Sequence, residues 1–214
     1  MESKSVEKKS SVIKDAMALF IVTLIAAFAL SFVYEVTKEP IAKQDELKLK
    51  MAYESVYPDT SAKLDEGLME LLGNTDMESL NTSYKNTTID EINDAYAADG
   101  KLVGYILRVS TKGYKDTITM VFGYSLDGEV QKVEFLALND TAGLGMNAAK
   151  PEFIDQFSGK KADSFEVTKT GAVSENQIDA ISSATITSKA VAKGINAGIA
   201  FLKANADLGG GTNE

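Results

Sequence analysis

The chain has 214 residues and contains no cysteine, histidine or tryptophan. Disulfides, thiolate nucleophiles, iron–sulfur ligation, the usual zinc sites and histidine-based triads are therefore excluded. Any redox chemistry must be carried by a bound organic cofactor. With 22 basic and 31 acidic residues the net charge is −9, and so acidic a chain is a poor candidate for binding nucleic acid.

Residues 16–34 form an uncharged apolar run of 19 residues. At about 1.5 Å per residue, a helix of this length spans roughly the hydrocarbon core of a bilayer. A buried core helix would be expected to show a polar face. A cleaved signal peptide would turn polar after Ala29, whereas this run continues through Leu30, Phe32 and Val33. The sequence favours a retained single-span anchor in contact with membrane lipid.

The charges on either side of the run predict its orientation. Four lysines precede the run, whereas Glu35, Lys38 and Glu39 follow it closely. The positive-inside rule then places the tail at 1–15 in the cytoplasm. We expect a single-pass protein of the cell (inner or cytoplasmic) membrane, with an extracytoplasmic domain at 59–206.

A stalk is predicted between the anchor and the domain, at 35–58. Pro40 is well placed to begin a helix, and Pro58 stops it near Tyr57; the same segment could instead continue the anchor helix. Residues 59–95 are polar and rich in Asn, Thr, Ser and Asp, which predicts loops with one short helix around 68–72.

Three segments with alternating apolar residues follow, and Asp-Gly pairs stand before the first and between the last two. This pattern is typical of antiparallel hairpins. The predicted strands are 101–110, 117–125 and 130–138. Further along the chain we expect a glycine-bearing loop at 139–147, a short amphipathic helix at 148–158 and a strand at 165–168.

The segment 189–205 is predicted to be a helix, because its apolar residues recur at helical spacing. The overall fold class is then α+β: one N-terminal transmembrane helix, followed by an antiparallel sheet flanked by helices. The glycine-rich end at 207–214 is predicted to be disordered.

Five hydroxyl residues lie between Ser182 and Ser188, directly ahead of this helical segment. The N-terminus of a helix has unpaired N–H groups and a partial positive charge, so it is a natural phosphate site. The ordinary alternative is a helix cap, for which Ser and Thr are preferred. Spacing alone leaves three roles open: a cap, a non-covalent phosphate site, or an acceptor for a modification.

The motif Asp179-x-x-Ser182-Ser183-Ala184-Thr185 resembles the acceptor motif for covalent flavin attachment, D-x-x-(S/T)-(G/S)-A-T. In that family the phosphate of FMN is esterified to the final threonine by an extracytoplasmic, Mg²⁺-dependent flavin transferase that uses FAD. The resemblance implies a covalent threonyl phosphoester of FMN at Thr185, with Asp179, Ser182, Ser183 and Ala184 in the cofactor site.

A second segment adds to this resemblance. Residues 140–145 (DTAGLG) are similar to the family's E-T-P-G-L-G loop, which lies against the flavin. Residues 153–160 are similar to its F-x-x-Q-F-x-G-K stretch, and Gly113-Tyr114 fits its G-Y pair. Asp140 and Ala142 replace Glu and Pro, and Ser183 stands where Gly is commoner. The loop adds four residues to the expected cofactor site: Thr141, Gly143, Leu144 and Gly145.

The similarity covers roughly residues 10–205 and extends to two related groups. These are the G subunits of Rnf complexes and the C subunits of Na⁺-translocating NADH:quinone reductase; the chain length suits the former better. The resemblance implies an electron-transfer subunit of a membrane ferredoxin:NAD⁺ oxidoreductase, a translocase that couples electron flow to Na⁺ or H⁺ transport. Such a subunit is an electron carrier with no catalytic residues and no metal site of its own.

The implied partners are the other Rnf subunits, both membrane subunits and cytoplasmic iron–sulfur and flavin subunits, together with the flavin transferase. Two further interpretations are compatible with the residues alone. One is a membrane-anchored binding or scaffold module without a cofactor. The other is a stand-alone flavin domain that feeds an extracellular reductase.

Overall fold

The structure, a computed structural model, describes residues 3–206 and 208. Helix α1 (Ser3–Val56) is a single element that covers the predicted span and most of the predicted stalk. Within the described residues it is the one helix long and apolar enough to cross a membrane, over Val12–Val56. The predicted tail at 207–214 lies outside the described residues, apart from Leu208.

Of the two alternatives for this segment, the structure has the continuation of the anchor helix and not a new helix that begins at Pro40, because Pro40 lies inside α1. An interior proline removes one backbone hydrogen bond and crowds the preceding turn. The residues that follow are rich in Ala, Lys, Glu, Leu and Met, which are strong helix formers, and they carry the helix on to Val56.

The compact unit of the chain begins at Lys48 and therefore includes the last turns of α1. Ala52 and Val56 are buried in a small cluster with Ala95, Ile106 and Val121 of the sheet. The end of the predicted stalk is thus part of the domain core.

Six strands form one sheet in which every neighbouring pair is antiparallel and the spatial order follows the chain order. A separate parallel pair lies near the C-terminal helix. The sheet strands are β1 (Thr60–Leu64), β2 (Thr87–Ala97), β3 (Leu102–Lys112), β4 (Thr117–Ser125), β5 (Glu129–Ala137) and β6 (Lys160–Lys161), and the pair is β7 (Glu166–Thr168) with β8 (Gln177–Asp179).

The predicted antiparallel meander is confirmed as β3 to β5, and the predicted strand at 165–168 is confirmed as β7. The prediction of loops over 59–95 is wrong, although its short helix is present. This region holds β1, most of β2, α2 (Glu66–Gly73), α3 (Met77–Leu80) and a 3₁₀ helix at Thr82–Tyr84.

Strand β2 is polar in sequence, and its polar side chains can lie in the sheet because they have hydrogen-bond and ion-pair partners in the fold. Asn93 is buried, and its Nδ2 donates to Glu91 Oε1 at 3.0 Å and to the Tyr53 hydroxyl at 3.2 Å. Glu91 in turn forms an ion pair with Arg108 of β3 at 3.1 Å. Paired in this way, polar groups can be buried without a large desolvation cost.

The remaining helices are α4 (Pro151–Ile154) and α5 (Thr185–Asn205), with a 3₁₀ helix at Gly145–Ala149. The predicted apolar face of α5 is confirmed, and its residues are fully buried: Val191, Ile195, Ile199 and Leu202. The helix begins at Thr185, four residues earlier than the predicted start at 189. The hydroxyl-rich motif therefore runs into the first turn of the helix.

Two glycines of α5 allow it to lie close to strand β4. A Cβ at Gly194 would overlap Met120 Cε, and one at Gly198 would lie 2.6 Å from Phe122 Cζ. The close approach that these glycines permit is therefore to side chains of the sheet rather than to another backbone.

We expect Gly198→Ala to destabilise the domain by about 1–2 kcal/mol. Overpacking against a ring held in the sheet costs roughly 1–3 kcal/mol, which exceeds the helix-propensity gain of about 1 kcal/mol for replacing glycine. Thermal unfolding of the detergent-solubilised chain, followed by near-UV circular dichroism, should show a midpoint lower by about 2–4 °C per kcal/mol.

The control is Gly73→Ala at the end of α2, where an added Cβ meets nothing within 4 Å. Its midpoint should be unchanged or slightly raised. A Gly198→Ala midpoint equal to that of the control would contradict the packing described here.

Candidate cofactor-binding site

A cleft of about 430 Å³ opens between the N-terminus of α5 and the loop that follows β5. It brings together the acceptor motif and the glycine-bearing loop, which the sequence relates only by resemblance. Its lining residues are Tyr114, Asp140, Thr141, Leu144, Gly145, Lys169, Ser183, Ala184, Thr185, Ile186 and Thr187.

Helix α5 starts in the cleft without a side-chain cap. The residue at the cap position is Ala184, which forms no capping hydrogen bond. The first N–H groups of a helix have no intrahelical partners, so this end retains its donors and its partial positive charge. The hydroxyls of the motif do not form a conventional N-cap.

The hydroxyls around Thr185 differ in what they already bind. Thr187 is buried, and its Oγ1 donates to Asp140 Oδ2 at 2.6 Å. Ser188 is also buried; its Oγ donates to the Ala184 carbonyl and accepts from the Ile181 N–H, both at 3.0 Å. Thr185 is half-buried, lines the cleft, and forms no side-chain hydrogen bond with the rest of the described chain. Of these three hydroxyls, only that of Thr185 is available to a ligand.

Ser183 adopts a backbone conformation that explains why glycine is commoner at this position of the motif. Its φ is +62°, in the left-handed region that costs an L-residue roughly 1–2 kcal/mol. This turn directs the chain from the exposed Ser182 into the start of α5. Serine is tolerated here at a cost in stability that glycine would not incur.

Asp140 joins the two walls of the cleft. One carboxylate oxygen accepts from Thr187 in α5, and the other accepts from the Thr141 N–H at 2.6 Å. A Cβ at Gly145 would overlap this carboxylate, so a larger residue there would require the Asp140 side chain to move. Gly143 has a φ of +75°, and its carbonyl accepts from Asn147 Nδ2 at 2.8 Å.

Six of the nine residues predicted for the cofactor site line the cleft: Thr141, Leu144, Gly145, Ser183, Ala184 and Thr185. Gly143 supports the loop from outside the lining, and Ser182 is exposed. Asp179 lies in a neighbouring depression formed with 147–156 and 180–181. Its Oδ1 accepts from the Ala172 N–H at 2.7 Å.

Sequence reasoning did not include Tyr114, Asp140, Lys169 and Ile186 among the site residues, and it considered Thr187 only as a second possible acceptor. Tyr114 and Ile186 are 65% and 58% exposed, and exposed apolar side chains in a concave site are typical of a ligand surface. The G-Y pair pointed to Tyr114, and the replaced Glu of the loop pointed to Asp140. No sequence pattern indicated Lys169.

Comparisons with known proteins match the N-terminal helix and the segment that forms the cleft to two separate family models. Residues 113–200, which contain every residue that lines the cleft, match the model of the FMN-binding domain. Residues 1–56 match the model of the RnfG N-terminal region. The compact unit is thus of the FMN-binding class, attached to the N-terminal helix of one particular group of subunits.

The chain is 35% identical over 143 residues to the G subunit of the proton-translocating ferredoxin:NAD(+) oxidoreductase complex of Clostridium ljungdahlii, covering 66% of this chain and 77% of the relative. It is 31% identical over 193 residues to the G subunit of the Na(+)-translocating ferredoxin:NAD(+) oxidoreductase complex of Acetobacterium woodii, covering 88% and 90%. The crystal structure of the C subunit of Na(+)-translocating NADH-quinone reductase from Parabacteroides distasonis aligns with a TM-score of 0.47 at 22% identity, over 65% of this chain and 70% of that one. The chain belongs to the family of G subunits of Rnf-type ion-translocating oxidoreductase complexes.

We expect Ser183→Gly to stabilise the domain by about 0.5–1 kcal/mol. The gain from relieving the left-handed conformation, roughly 1–2 kcal/mol, exceeds the added chain entropy of the unfolded state, roughly 0.4–1 kcal/mol. The same thermal unfolding measurement should show a raised midpoint.

Ser182→Gly is the matched control, because Ser182 is not among the described residues with positive φ. Only the entropy cost applies there, so its midpoint should fall slightly. If the two variants shift in the same direction, the backbone account of Ser183 is wrong.

Proposed function

We propose that the cleft holds FMN joined through its phosphate to Thr185 Oγ1, and that the chain is an electron-carrying subunit of an ion-translocating ferredoxin:NAD⁺ oxidoreductase complex. The single observation that carries the proposal is the position of Thr185. Thr185 lines the cleft at the uncapped start of α5, and its hydroxyl has no hydrogen-bond partner in the described chain, while the hydroxyls of Thr187 and Ser188 are buried and hydrogen bonded.

The residues of the cleft suit both ends of FMN. The unpaired N–H groups and the dipole of α5 favour a phosphate at Thr185. Tyr114, Leu144 and Ile186 offer apolar surface to a flat aromatic ring. A volume of about 430 Å³ falls within the roughly 300–1,000 Å³ common for ligand sites. FMN supplies the electron transfer, and the chain binds and orients it.

The attachment reaction balances without an oxidant or a reductant. Thr185 Oγ1 forms a bond to the FMN phosphorus of FAD, the bond from that phosphorus to the bridging oxygen breaks, and AMP leaves. The hydroxyl proton is released. No side chain of this chain has to act as a general acid or base in the attachment, because the flavin transferase supplies the catalytic groups and Mg²⁺.

The membrane arrangement is part of the proposal. The tail at 1–15 lies in the cytoplasm, 16–34 crosses the bilayer and 35–47 forms the stalk. The FMN domain, which begins at Lys48 and includes the end of the predicted stalk, lies outside, where the transferase acts. The lysines ahead of the span support this orientation. The partners are the other subunits of the complex, and the relatives' names divide between proton and sodium translocation.

Thr185→Val should abolish covalent flavin, because valine keeps the shape of threonine and removes the acceptor oxygen. The full chain is produced together with a flavin transferase and purified. In-gel flavin fluorescence after denaturation and intact-protein mass should both show the flavin adduct in the wild-type chain and neither should show it in the variant.

Ser182→Ala and Thr187→Val are the controls, since each removes a neighbouring hydroxyl and leaves Thr185 in place. Both should retain the fluorescent band. Covalent flavin in Thr185→Val, or its loss in Ser182→Ala alone, would refute the assignment of the acceptor. A wild-type chain without any flavin would favour a binding or scaffold module.

The orientation can be tested with single thiols, because the chain has no cysteine. Thr82 is exposed in the compact unit, and Ser5 precedes the predicted span. In intact cells, a membrane-impermeant maleimide should label Thr82→Cys and leave Ser5→Cys unlabelled, and permeabilised cells should label both. The reverse pattern in intact cells would overturn the proposed orientation.

A further inference from the structure

The first residue of the acceptor motif, Asp179, lies outside the cleft, and its side chain binds the loop that carries Lys169. We propose that Asp179 is a positioning residue: it holds the loop at 169–176, and through that loop it holds the charge of Lys169 at the wall of the cleft. The effect on the cofactor rests on the proposed function of the cleft.

The loop joins β7 to β8, and both ends are fixed by the parallel pairing of these strands, in which Thr168 is the partner of Asp179. The Ala180 N–H donates to the Thr168 carbonyl at 2.7 Å. Asp179 Oδ1 accepts from the Ala172 N–H at 2.7 Å. This hydrogen bond ties the middle of the loop back to its own base, three residues after Lys169.

A glutamine holds Asp179 from its other side. Gln156 Oε1 accepts from the Asp179 N–H at 2.7 Å, and Gln156 Nε2 donates to the Asp179 carbonyl at 3.4 Å. The backbone of Asp179 is thus fixed by the segment after α4, while its carboxylate is committed to the loop. Both motif residues, Gln156 and Asp179, have partners that explain them without any contact to a cofactor.

Lys169 is the one cationic residue among the described residues that line the cleft. Its flexible stem gives the ammonium group a wide range, so the average position of the charge depends on where the backbone is held. A cation beside a flavin favours the more negative, reduced form of the ring and raises its midpoint potential. Releasing the loop would let this charge move away.

The test measures the midpoint potential of the flavin-loaded full chain. Lys169→Met should lower the potential. Asp179→Ala removes a carboxylate charge as well as the hydrogen bond, so its reference is Asp179→Asn, which removes the same charge while its amide Oδ1 still accepts from the Ala172 N–H. Asp179→Ala should have a lower potential than Asp179→Asn. With Lys169→Met added to both, this difference should disappear, since Asp179 acts through the lysine.

Two results would overturn the inference: equal potentials in Asp179→Ala and Asp179→Asn, or a difference between them that persists when Lys169→Met is added to both. Ala172→Pro removes the same hydrogen bond from the donor side and leaves the acceptor motif intact. It should reproduce the lowered potential. If Asp179→Ala is not loaded with flavin while Ala172→Pro is loaded with a wild-type potential, Asp179 serves recognition by the transferase and the inference is wrong.

Hydrogen exchange of the unloaded chain provides a readout independent of the cofactor. Losing this hydrogen bond to a charged acceptor should make the Ala172 amide exchange on the order of tenfold faster or more in Asp179→Ala, and by a smaller factor in Asp179→Asn, whose neutral amide oxygen still accepts. An unchanged exchange rate of the Ala172 amide in Asp179→Ala would show that the Asp179 carboxylate does not hold the loop. A wild-type chain that takes up no flavin would instead refute the proposed function, which separates the two failures.

Discussion

The position of the candidate site depends on how closely α5 packs against the sheet. Gly194 and Gly198 leave room for Met120 and Phe122, and the apolar face of the helix is completely buried. A helix held along its length in the core presents its first residue at a defined place. The hydrogen bond between Asp140 and Thr187 then fixes the facing loop to the first turn of the same helix. The packing of α5 in the core therefore fixes the positions of both walls of the cleft.

Much of the fold follows from periodicity, because the main-core residues of strands β3 and β4 alternate along each strand and those of α5 recur at helical spacing. Ile106 and Val121, on the other face of the sheet, pack against the end of α1. Strand β2 could not be recognised in this way. Its register is interrupted between Ile89 and Glu91 and again between Ala95 and Tyr96, so strict alternation is lost. The groups that allow its polar residues to be buried, such as Arg108, come from other parts of the chain. The proline at position 40 suggested a helix boundary, but the strong helix formers that flank it allow α1 to continue.

The candidate site also has a part that local sequence predicts and a part that only folding brings together. The motif and the glycine-bearing loop could be predicted because their residues are consecutive and resemble those of a family. Tyr114 and Lys169 reach the cleft from two separate connections, and no local pattern marks their convergence. The distinction between Thr185 and Thr187 depends on the Asp140 carboxylate, which lies 47 residues before Thr187 in the chain. Such a contact exists only after folding, which is why spacing alone left several acceptors open.

The proposed covalent attachment would change what the cleft has to achieve. With the cofactor tethered at Thr185 as proposed, its retention would not depend on a dissociation equilibrium, and the walls would act on a group already present at high effective concentration. A tight non-covalent flavin site has to bury most of the surface of its ligand. With a tethered cofactor, the walls of the cleft do not have to meet that requirement and can leave one edge of the flavin ring uncovered. An electron donor or acceptor can then approach by diffusion or docking without any lid having to open.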